Sequence, residues 1–447
     1  MLDAVTPFHG MPYEEQLALK NEVSCRLVQD IGRQICHASQ ISPKFFMDSI
    51  KNSLHPIRPA PSVTGYRNKC EFNVGRDEAG QPCVGFRLAR FRDGDVTIAA
   101  PSACTHIPDM MKAVVRAFQD FLLESASLPP FDPNSRAGYW RQLTVRSFAL
   151  DIMVVAVIHP QDLTAEAIEE VKKKLKECFM PENADHVKMG FRVSSLFLQR
   201  QVLPSDRPDF ELIAGAPFAY EILGGKRYRI SPRSFFQTNT AATETLYNVV
   251  AEIGELTKET GLLDLCCGTG PIGLFLADRV KWIAGIEIME EAIRDAEANA
   301  KLAGCSKKCI YTAGKVEDVF YDLWLQIQKT FGDSEELDSV VGVLDPPRAG
   351  LAPKLLSAIR GLSCIRKLIY LSCDPAAASK NFVDLCRKTS NKYRGLPFML
   401  KRIIPVDMFP QTKHFEWVLL FERNSERRMS SVAATPTEVV TGDDRDS

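Results

Sequence analysis

The chain has 447 residues, more than one compact core usually holds, so its length predicts two or three domains. Its hydrophobic fraction of 45% is ample for folded cores. The formal net charge of -1 argues against a protein that coats nucleic acid without specificity, although it leaves room for a local basic groove.

The cysteine content indicates reduced thiols. The 13 cysteines are scattered and odd in number, and none has the C-x-x-C spacing of a zinc ribbon. We therefore expect a cytoplasmic protein, with the nucleus as a further location. The start, MLDAVTPFHGMPYEEQLALK, lacks the apolar core of a signal peptide, and no apolar run is long enough to cross a membrane.

Residues 13–38 predict an N-terminal helix. Apolar side chains recur there at helical spacing, namely Leu17, Leu19, Val23, Leu27, Ile31 and Ile35. The Pro-rich stretch SLHPIRPAPSVTG then predicts a linker that ends near Gly65. We assign residues 1–60 to this helical segment and its linker.

Residues 61–215 predict a central mixed α/β domain. The segments CEFNVG and CVGFRLARF predict a hairpin around RDEAGQP, and RQLTVRSF and DIMVVAVIHP predict two more strands. The segment TAEAIEEVKKKLKECF predicts an amphipathic helix that Thr164 caps.

Residues 216–423 show a different pattern, in which apolar strands alternate with helices. GLLDLCCG, KWIAGIE, VVGVLDPP and LIYLSC predict strands, and IGLFLADRV, MEEAIRDAEANAKLAG and PKLLSAIRGL predict helices. Such alternation is typical of an α/β fold with a parallel, doubly wound sheet. The polar residues 424–447 predict a disordered tail.

The segment LLDLCCGTGPIGLFLA predicts a nucleotide-binding turn. Its strand ends near Asp264, a tight turn uses Gly268 and Gly270, and a helix begins near Pro271. The motif departs from the G-x-G-x-x-G of dinucleotide-binding proteins and resembles motif I of class I S-adenosylmethionine-dependent methyltransferases. Glu287 ends the next strand, where a carboxylate is well placed to accept hydrogen bonds from ribose hydroxyls.

Two later strands also end in residues that carry chemistry. VVGVLDPPRAGL runs into Asp345, and LIYLSCDP runs into Cys373, where a cysteine is either a small core residue or a nucleophile. Ligands of open α/β sheets bind beyond the carboxyl ends of the strands. We therefore expect Asp264, Glu287, Asp345 and Cys373 at one edge of the sheet.

Glu416 supplies a carboxylate near Cys373. KRIIPVDMFPQTKHFEWVLLFER predicts a strand, a short turn and a returning strand that begins at Glu416. A glutamate that begins a buried strand is usually paired or functional, the alternative being a side chain on the rim. A thiolate that adds to carbon 6 of uracil activates carbon 5 for methylation, and a base then removes the carbon 5 proton. Cys373 fits the nucleophile and Glu416 the base.

These motifs together are similar to those of the uracil-5 RNA methyltransferases, and within that family to the animal cytosolic branch that acts on tRNA. The segments that carry the resemblance are GYRNKCEF, ISPRSFFQTNT, LLDLCCGTGPIGL, LDPPRAGL, LSCDPAAASKNFVDLC and DMFPQTKHFEW. The resemblance implies a class I, Rossmann-like methyltransferase domain with a central RNA-binding domain. It also implies formation of 5-methyluridine at the T-loop uridine, position 54 of tRNA.

The resemblance implies a role for single residues as well. Cys373 matches the nucleophile and Glu416 the proton acceptor. The positions that match contacts to the cofactor S-adenosylmethionine are Gln237, Asp264, Cys266, Gly268, Gly270, Pro271, Glu287 and Asp345. Arg67 and Lys69 belong to a family motif and are the expected RNA contacts. We expect a monomer that binds the T arm of tRNA.

The sequence departs from the family pattern at three points. Asp374 stands where the family commonly has Asn, and its charge would raise the pKa of the neighbouring thiol unless it is offset. The aromatic signature of an N-terminal RNA-recognition domain is absent, which leads us to expect a shorter form. Cys25, Cys36, Cys70, Cys83 and Cys104 lack the compact spacing of an iron–sulfur site, so we expect no metal cluster.

Three alternatives stay open at the level of sequence. The chain methylates uridine in ribosomal or another RNA, or it acts as a tRNA-folding chaperone without needing catalysis, or it methylates a small molecule or protein. The pairing of Cys373 with Glu416 speaks against the last of these, because oxygen and nitrogen acceptors need no covalent thiol.

Overall fold

The computed structural model describes residues 1–40, 52–88, 96–124, 128–149, 151–181, 191–203, 209–332, 339–348, 350–391 and 393–423. The predicted tail at 424–447 lies outside these residues, as does the end of the segment CVGFRLARF.

The strands, in chain order, are β1 (Lys69–Arg76), β2 (Pro82–Arg87), β3 (Ile98–Ala99), β4 (Trp140–Ser147), β5 (Ile152–Ile158), β6 (Val193–Arg200), β7 (Phe210–Gly215), β8 (Ala219–Leu223), β9 (Lys226–Ile230), β10 (Gly261–Asp264), β11 (Trp282–Glu287), β12 (Cys309–Ala313), β13 (Val340–Leu344), β14 (Ile365–Ser372), β15 (Phe398–Val406) and β16 (Glu416–Arg423).

The α-helices, in chain order, are α1 (Leu2–Val5), α2 (Tyr13–Ser39), α3 (Asp109–Glu124), α4 (Ala165–Phe179), α5 (Thr240–Gly254), α6 (Pro271–Phe275), α7 (Glu290–Leu302), α8 (Val316–Phe331), α9 (Pro353–Gly361) and α10 (Pro375–Cys386). No helix within the described ranges combines the length and the apolarity that a membrane span needs.

The first sheet is mixed, with strand order β3-β2-β1-β4-β5-β6-β7. The predicted hairpin is confirmed, because β1 and β2 pair antiparallel and Arg76 lies opposite Pro82. Helices α3 and α4 contribute side chains to the core on this sheet, including Phe118 and Phe179. The predicted cap of α4 is also confirmed, since the Thr164 hydroxyl accepts a hydrogen bond from the Ala167 N–H at 3.2 Å.

The second sheet has strand order β12-β11-β10-β13-β14-β16-β15. Its first five strands are parallel to one another, which confirms the predicted α/β architecture. Buried side chains cover both faces of this sheet, as expected for parallel strands with helical crossovers. The strand order reverses at β10, so β11 and β13 leave a crevice beyond the carboxyl end of β10 between them.

The last two strands reverse direction in the sheet. β16 is antiparallel to both β14 and β15, so β15 runs parallel to β14 and β16 runs back. The return strand begins at Glu416, as predicted. The sequence analysis did not identify the β8–β9 hairpin or strand β12, because short strands with mixed burial carry little periodicity. It also did not identify the pair β6–β7.

The N-terminal helix exists where the sequence predicts it, but its buried face differs. Leu19 and Val23 are exposed, while Gln16, Lys20 and Ser24 are buried. Val28, Ile31 and Ile35 pack into the core of the second sheet. The predicted stripe is therefore correct for Ile31 and Ile35 and for Leu17 and Leu27, which pack against the same core, and it is wrong for Leu19 and Val23.

The Pro-rich segment that follows lies along the edge strand β15. The His55 N–H donates to the Ile403 carbonyl at 2.9 Å, and the Arg58 N–H donates to the Pro405 carbonyl at 2.8 Å. The segment predicted as a linker thus covers the edge of the second sheet, which would otherwise expose unpaired backbone groups.

Candidate active site

Four predicted site residues lie at one edge of the second sheet. Asp264 and Glu287 end β10 and β11, and Asp345 and Cys373 directly follow β13 and β14. Because these four strands are parallel, their carboxyl ends meet at the same edge. The structure therefore brings these four residues together as the sequence predicts.

Cys373 and Glu416 lie at the ends of neighbouring strands. Ser372 pairs with Trp417 at the end of the antiparallel ladder between β14 and β16, and Cys373 and Glu416 are the residues next to this pair. The two side chains interact, because the charge of Glu416 raises the pKa of the Cys373 thiol.

The Cys373 thiol sits between opposing charges. Burial raises its pKa most, Glu416 and Asp345 raise it further, and the charge and hydrogen bond of Arg348 lower it. The net shift is upward, so the thiol needs proton removal when it reacts. Arg348 is the nearby group that favours the thiolate.

Asp374 has a structural task that the sequence analysis did not identify. Its carboxylate accepts a hydrogen bond from the Ala377 N–H at 3.0 Å and caps the N-terminus of α10. Besides burial, the carboxylates of Glu416 and Asp345 raise the pKa of the Cys373 thiol.

Two carboxyls beside the thiol have raised pKa values. Burial raises the pKa of Glu416 to about 8, and the charge of Asp345 adds to the shift. Burial also raises the pKa of Asp345 to about 6, while a hydrogen bond from Gln237 opposes that shift. The Gln237 Nε2 donates to Asp345 Oδ2 at 3.3 Å, so Gln237 lies at the same sheet edge.

Asp264 is a buried carboxyl without a well-formed partner. It is 1% exposed, and neither carboxylate oxygen has a hydrogen-bond partner of good geometry among the described residues. Burial and the charge of Asp345 raise its pKa to about 8, although the backbone N–H of Cys266 lowers it. Such an unpaired buried acceptor is typical of a group that a ligand completes.

The turn after β10 leaves space for a ligand. Gly268 has a φ of 53°, and a Cβ on it would meet no atom within 4 Å, so this side of the turn faces open space. Its N–H donates to Glu287 Oε2 at 3.2 Å, which joins the turn to the end of β11. Gly270 has a φ of 79° and directly precedes Pro271, the first residue of α6.

The loop that carries Gln237 is held from the first sheet. The Asn68 side chain donates to the Gln237 carbonyl at 2.9 Å, and the buried Arg146 donates to the Ser234 carbonyl at 2.7 Å. Phe235, in the same loop, is 66% exposed, although phenylalanine is among the residues most often buried.

Of the two predicted RNA contacts, Lys69 is the first residue of β1 and Arg67 lies two residues before it. The backbone of Arg67 pairs with Asn239, and its Nε donates to the Lys69 carbonyl at 3.0 Å. Burial lowers the pKa of His414, and the charges of Arg348, Lys20 and Arg67 lower it further. Lys69 forms an ion pair with Glu71 at 2.7 Å.

The sequence analysis missed two features of this site. It gave no role to Arg348, which follows Asp345-Pro-Pro and whose charge and hydrogen bond lower the pKa of the Cys373 thiol. It also missed Asp407, which the described structure joins to Lys20 in a buried ion pair. Among the described residues, no three His, Cys, Asp or Glu side chains are grouped so that they could hold a metal ion.

The fold and the site together define a Rossmann-like methyltransferase. A crystal structure of Pyrococcus abyssi tRNA (uracil-54, C5)-methyltransferase, in complex with S-adenosyl-L-homocysteine, superposes with a TM-score of 0.61. The two chains are 20% identical, and the match covers 93% of this chain and 84% of that one. This likeness supports the fold.

Sequence comparison then gives the family. The family model tRNA (Uracil-5-)-methyltransferase matches residues 224–424. The chain is 39% identical to tRNA (uracil-5-)-methyltransferase homolog A of Mus musculus, covering 94% of this chain and 68% of the relative. It is 35% identical to homolog B of Homo sapiens, covering 95% of this chain and 84% of the relative. The chain therefore belongs to the tRNA (uracil-5-)-methyltransferase family.

Proposed function

We propose that this enzyme methylates carbon 5 of the T-loop uridine at position 54 of tRNA, with Cys373 as nucleophile and Glu416 as proton acceptor. It binds the T arm as a monomer. The observation that supports the proposal is the end of the ladder between β14 and β16, where the last pair, Ser372 with Trp417, adjoins Cys373 on one side and Glu416 on the other.

The reaction begins with the thiolate of Cys373. Its Sγ forms a bond to carbon 6 of uracil, and the electron pair of the carbon 5–carbon 6 double bond moves to carbon 5, which becomes the nucleophile for the methyl group. Glu416 then takes the proton from carbon 5. The double bond forms again, the bond between carbon 6 and Sγ breaks, and Cys373 leaves as a thiolate.

In the free protein the raised pKa values favour a protonated thiol on Cys373 and a protonated carboxyl on Glu416, whereas the reaction needs both groups ionised. Arg348 favours the Cys373 thiolate. Glu416, with a pKa raised to about 8, must be ionised to accept a proton. A cationic ligand beside Asp345 and Glu416 would favour their charged forms, because an opposite charge nearby lowers the pKa of a carboxyl.

The residues at the sheet edge fit S-adenosylmethionine, which supplies the methyl group as an electrophile when it is bound. Asp264 provides unpaired carboxylate oxygens, Gly268 leaves room for close approach, and Glu287 presents a carboxylate for hydroxyl groups. Gln237, Cys266, Gly270, Pro271 and Asp345 complete this proposed cofactor site.

The target base has to leave its stack to reach Cys373. Loop RNA makes this easier than a duplex does, because its bases are already partly unstacked. We propose that the ring of Phe235, which is 66% exposed, stacks on a nucleotide near the cleft, and that the cationic side chains of Arg67 and Lys69 contact phosphates.

The proposal is tested by methylation of a tRNA transcript by purified protein, followed by mapping of 5-methyluridine. We expect methylation at position 54 with the wild-type protein and none with Cys373→Ala. Glu416→Gln should accumulate a covalent complex with ordinary tRNA, since it can form the adduct but cannot remove the proton.

The matched control is a transcript with cytidine in place of uridine at position 54, which should not be methylated. Modification of that transcript at another site, or of ribosomal RNA alone, would contradict the proposed position. Full activity of Cys373→Ala would contradict the proposed chemistry.

A further inference from the structure

The loop that precedes Glu416 is tied to the N-terminal helix by buried polar contacts. We call residues 407–415, between β15 and β16, the Glu416 loop. Its first residue, Asp407, follows Val406, which pairs with Glu416 in the ladder between these strands. Asp407 is thus one residue away from the ladder partner of Glu416.

Asp407 has partners on both of its carboxylate oxygens. Lys20 Nζ donates to Oδ1 at 2.7 Å, and both side chains of this ion pair are buried, at 1% and 0% exposed. The Tyr13 hydroxyl donates to Oδ2 at 3.0 Å. Lys20 also donates to the Phe409 carbonyl at 3.1 Å, and the Phe409 N–H donates back to Asp407 Oδ1 at 3.0 Å.

The helix presents these partners on a single face. Tyr13, Gln16, Lys20 and Ser24 are spaced by three, four and four residues, which aligns them along one side of α2. The Gln16 Oε1 accepts from the Gln411 N–H at 2.7 Å, and the Ser24 hydroxyl accepts from Trp417 Nε1 at 3.1 Å. Four successive contacts therefore run along the loop and onto the residue after Glu416.

The loop also contains a strained residue that these contacts hold. Gln411 has a φ of 66°, an uncommon backbone conformation for a residue other than glycine. Besides Gln16, it is bound by Thr105, whose hydroxyl donates to Gln411 Oε1 at 2.9 Å, and by the Val63 carbonyl at 2.9 Å. Strain of this kind persists where the surroundings fix the backbone, and it is common at functional sites.

We infer that Lys20 and Tyr13 are positioning residues for Glu416, which act through Asp407 to orient its carboxyl toward carbon 5 of the target base. The ion pair between Lys20 and Asp407 is fully buried, so removing either side chain would leave the other charge buried without a partner. This inference rests on the proposed roles of Cys373 and Glu416. It assigns to the N-terminal helix a part in the second half of the reaction, the removal of the proton.

The test separates the two halves of the reaction. The variants are Tyr13→Phe, Lys20→Met and the conservative Lys20→Arg, with Arg26→Met as the matched control because Arg26 is 67% exposed on the same helix. Adduct formation on tRNA that contains 5-fluorouridine reports the attack by Cys373. Turnover of ordinary tRNA reports the removal of the carbon 5 proton as well.

We expect adduct formation on fluorinated tRNA to stay within about threefold of wild type for Tyr13→Phe and Lys20→Met. Turnover of ordinary tRNA should fall about 3- to 10-fold for Tyr13→Phe, the loss of one hydrogen bond, and about 10- to 100-fold for Lys20→Met. Both variants should accumulate a covalent adduct on ordinary tRNA. Lys20→Arg should recover part of the lost turnover, and Arg26→Met should match wild type.

Two results would overturn the inference. One is unchanged turnover in Tyr13→Phe and Lys20→Met. The other is an equal loss of adduct formation and turnover without accumulation of adduct, which is the signature of a purely structural role. If Lys20→Met does not fold, Tyr13→Phe decides, because it leaves the ion pair intact. A wild-type protein that forms no adduct on fluorinated tRNA would reject the proposed function instead.

Discussion

At the scale of single residues, the site is a set of groups whose charges depend on one another. Cys373, Glu416, Asp345 and Asp264 have pKa values raised chiefly by burial. At pH 7 the free protein therefore favours the protonated forms of Cys373, Glu416 and Asp264, whereas Asp345, with a pKa of about 6, is mostly ionised. These shifts have a measurable effect on how stability depends on pH.

Glu416→Gln should change how stability depends on pH. The pKa of Glu416 is raised to about 8 in the folded state, against 4.5 for an ordinary glutamate. The folded protein therefore binds more protons between these values, and its stability falls as pH rises through this window. The variant removes this contribution, so without ligand it should exceed wild type by on the order of 1–3 kcal/mol at pH 9. Urea unfolding at pH 5 and pH 9 measures this.

The expected difference at pH 5 is small, because Glu416 is protonated there in the folded protein and Gln mimics that form. A variant that is less stable than wild type at pH 9 would contradict a buried carboxyl with a raised pKa. It would indicate instead that the ionised Glu416 has a cationic partner.

Arg348→Met should weaken the attack by Cys373. Arg348 lowers the pKa of the thiol, so its loss leaves burial, Glu416 and Asp345 to raise that pKa further. Adduct formation on fluorinated tRNA should fall about tenfold at pH 7 and recover as pH rises. Arg348→Lys, which keeps the charge, is the matched control and should lose less. A loss that does not recover at high pH would contradict this role.

At the scale of elements, one buried arginine holds the far end of the helix that follows Cys373. Arg360, which is 0% exposed, donates through Nη1 to the carbonyls of Asp384 at 2.7 Å and Arg387 at 2.6 Å. These acceptors lie at the C-terminus of α10, where carbonyls have no partner within the helix. Asp374 caps the other end, so both ends of α10 are fixed.

Arg360→Met should therefore destabilise the protein by about 3 kcal/mol, because it leaves buried carbonyls without donors. Lys354→Met, on the same helix with its side chain 75% exposed, is the control and should change stability by less than about 0.5 kcal/mol. Urea unfolding followed by circular dichroism measures both variants. Equal stability of the two variants would contradict the capping role of Arg360.

The comparison of sequence with structure is clearest for these elements. The sheet edge was predictable, because parallel strands must end on one side and the residues after Asp264, Glu287 and Asp345 break the strands. The first half of α2 was not, because its buried face is polar. Lys20 pairs with Asp407, which is 387 residues away in the sequence, and no local sequence pattern predicts such a pair. The roles of Arg348 and Asp374 likewise depend on tertiary neighbours.

At the scale of the whole molecule, the first sheet reaches the site through the loop that carries Gln237. Asn68 is the link, because its side chain donates to the Gln237 carbonyl and to Thr240 Oγ1, and its N–H donates to the Thr238 carbonyl at 2.8 Å. These hydrogen bonds fix the loop that carries Gln237 relative to the first sheet.

Asn68→Ala removes the two side-chain hydrogen bonds to Gln237 and Thr240 and should make the loop that carries Gln237 less rigid. Methylation at saturating tRNA should fall about tenfold, since small displacements of positioned groups are costly in rate, while the affinity for tRNA should change less than threefold. Single-turnover kinetics and filter binding measure the two effects. A loss of tRNA affinity with unchanged methylation at saturation would place Asn68 in RNA binding instead.

The central claim is that the Cys373 thiolate attacks carbon 6 of the base and that Glu416 then accepts the carbon 5 proton. The most direct measurement is mass spectrometry of the peptide that carries the adduct after reaction with 5-fluorouridine tRNA and S-adenosylmethionine. Fluorine at carbon 5 cannot leave as a proton, so the adduct should persist on the peptide with Cys373 and carry one added methyl group. An adduct on another cysteine, or no adduct from a protein that methylates ordinary tRNA, would contradict the account.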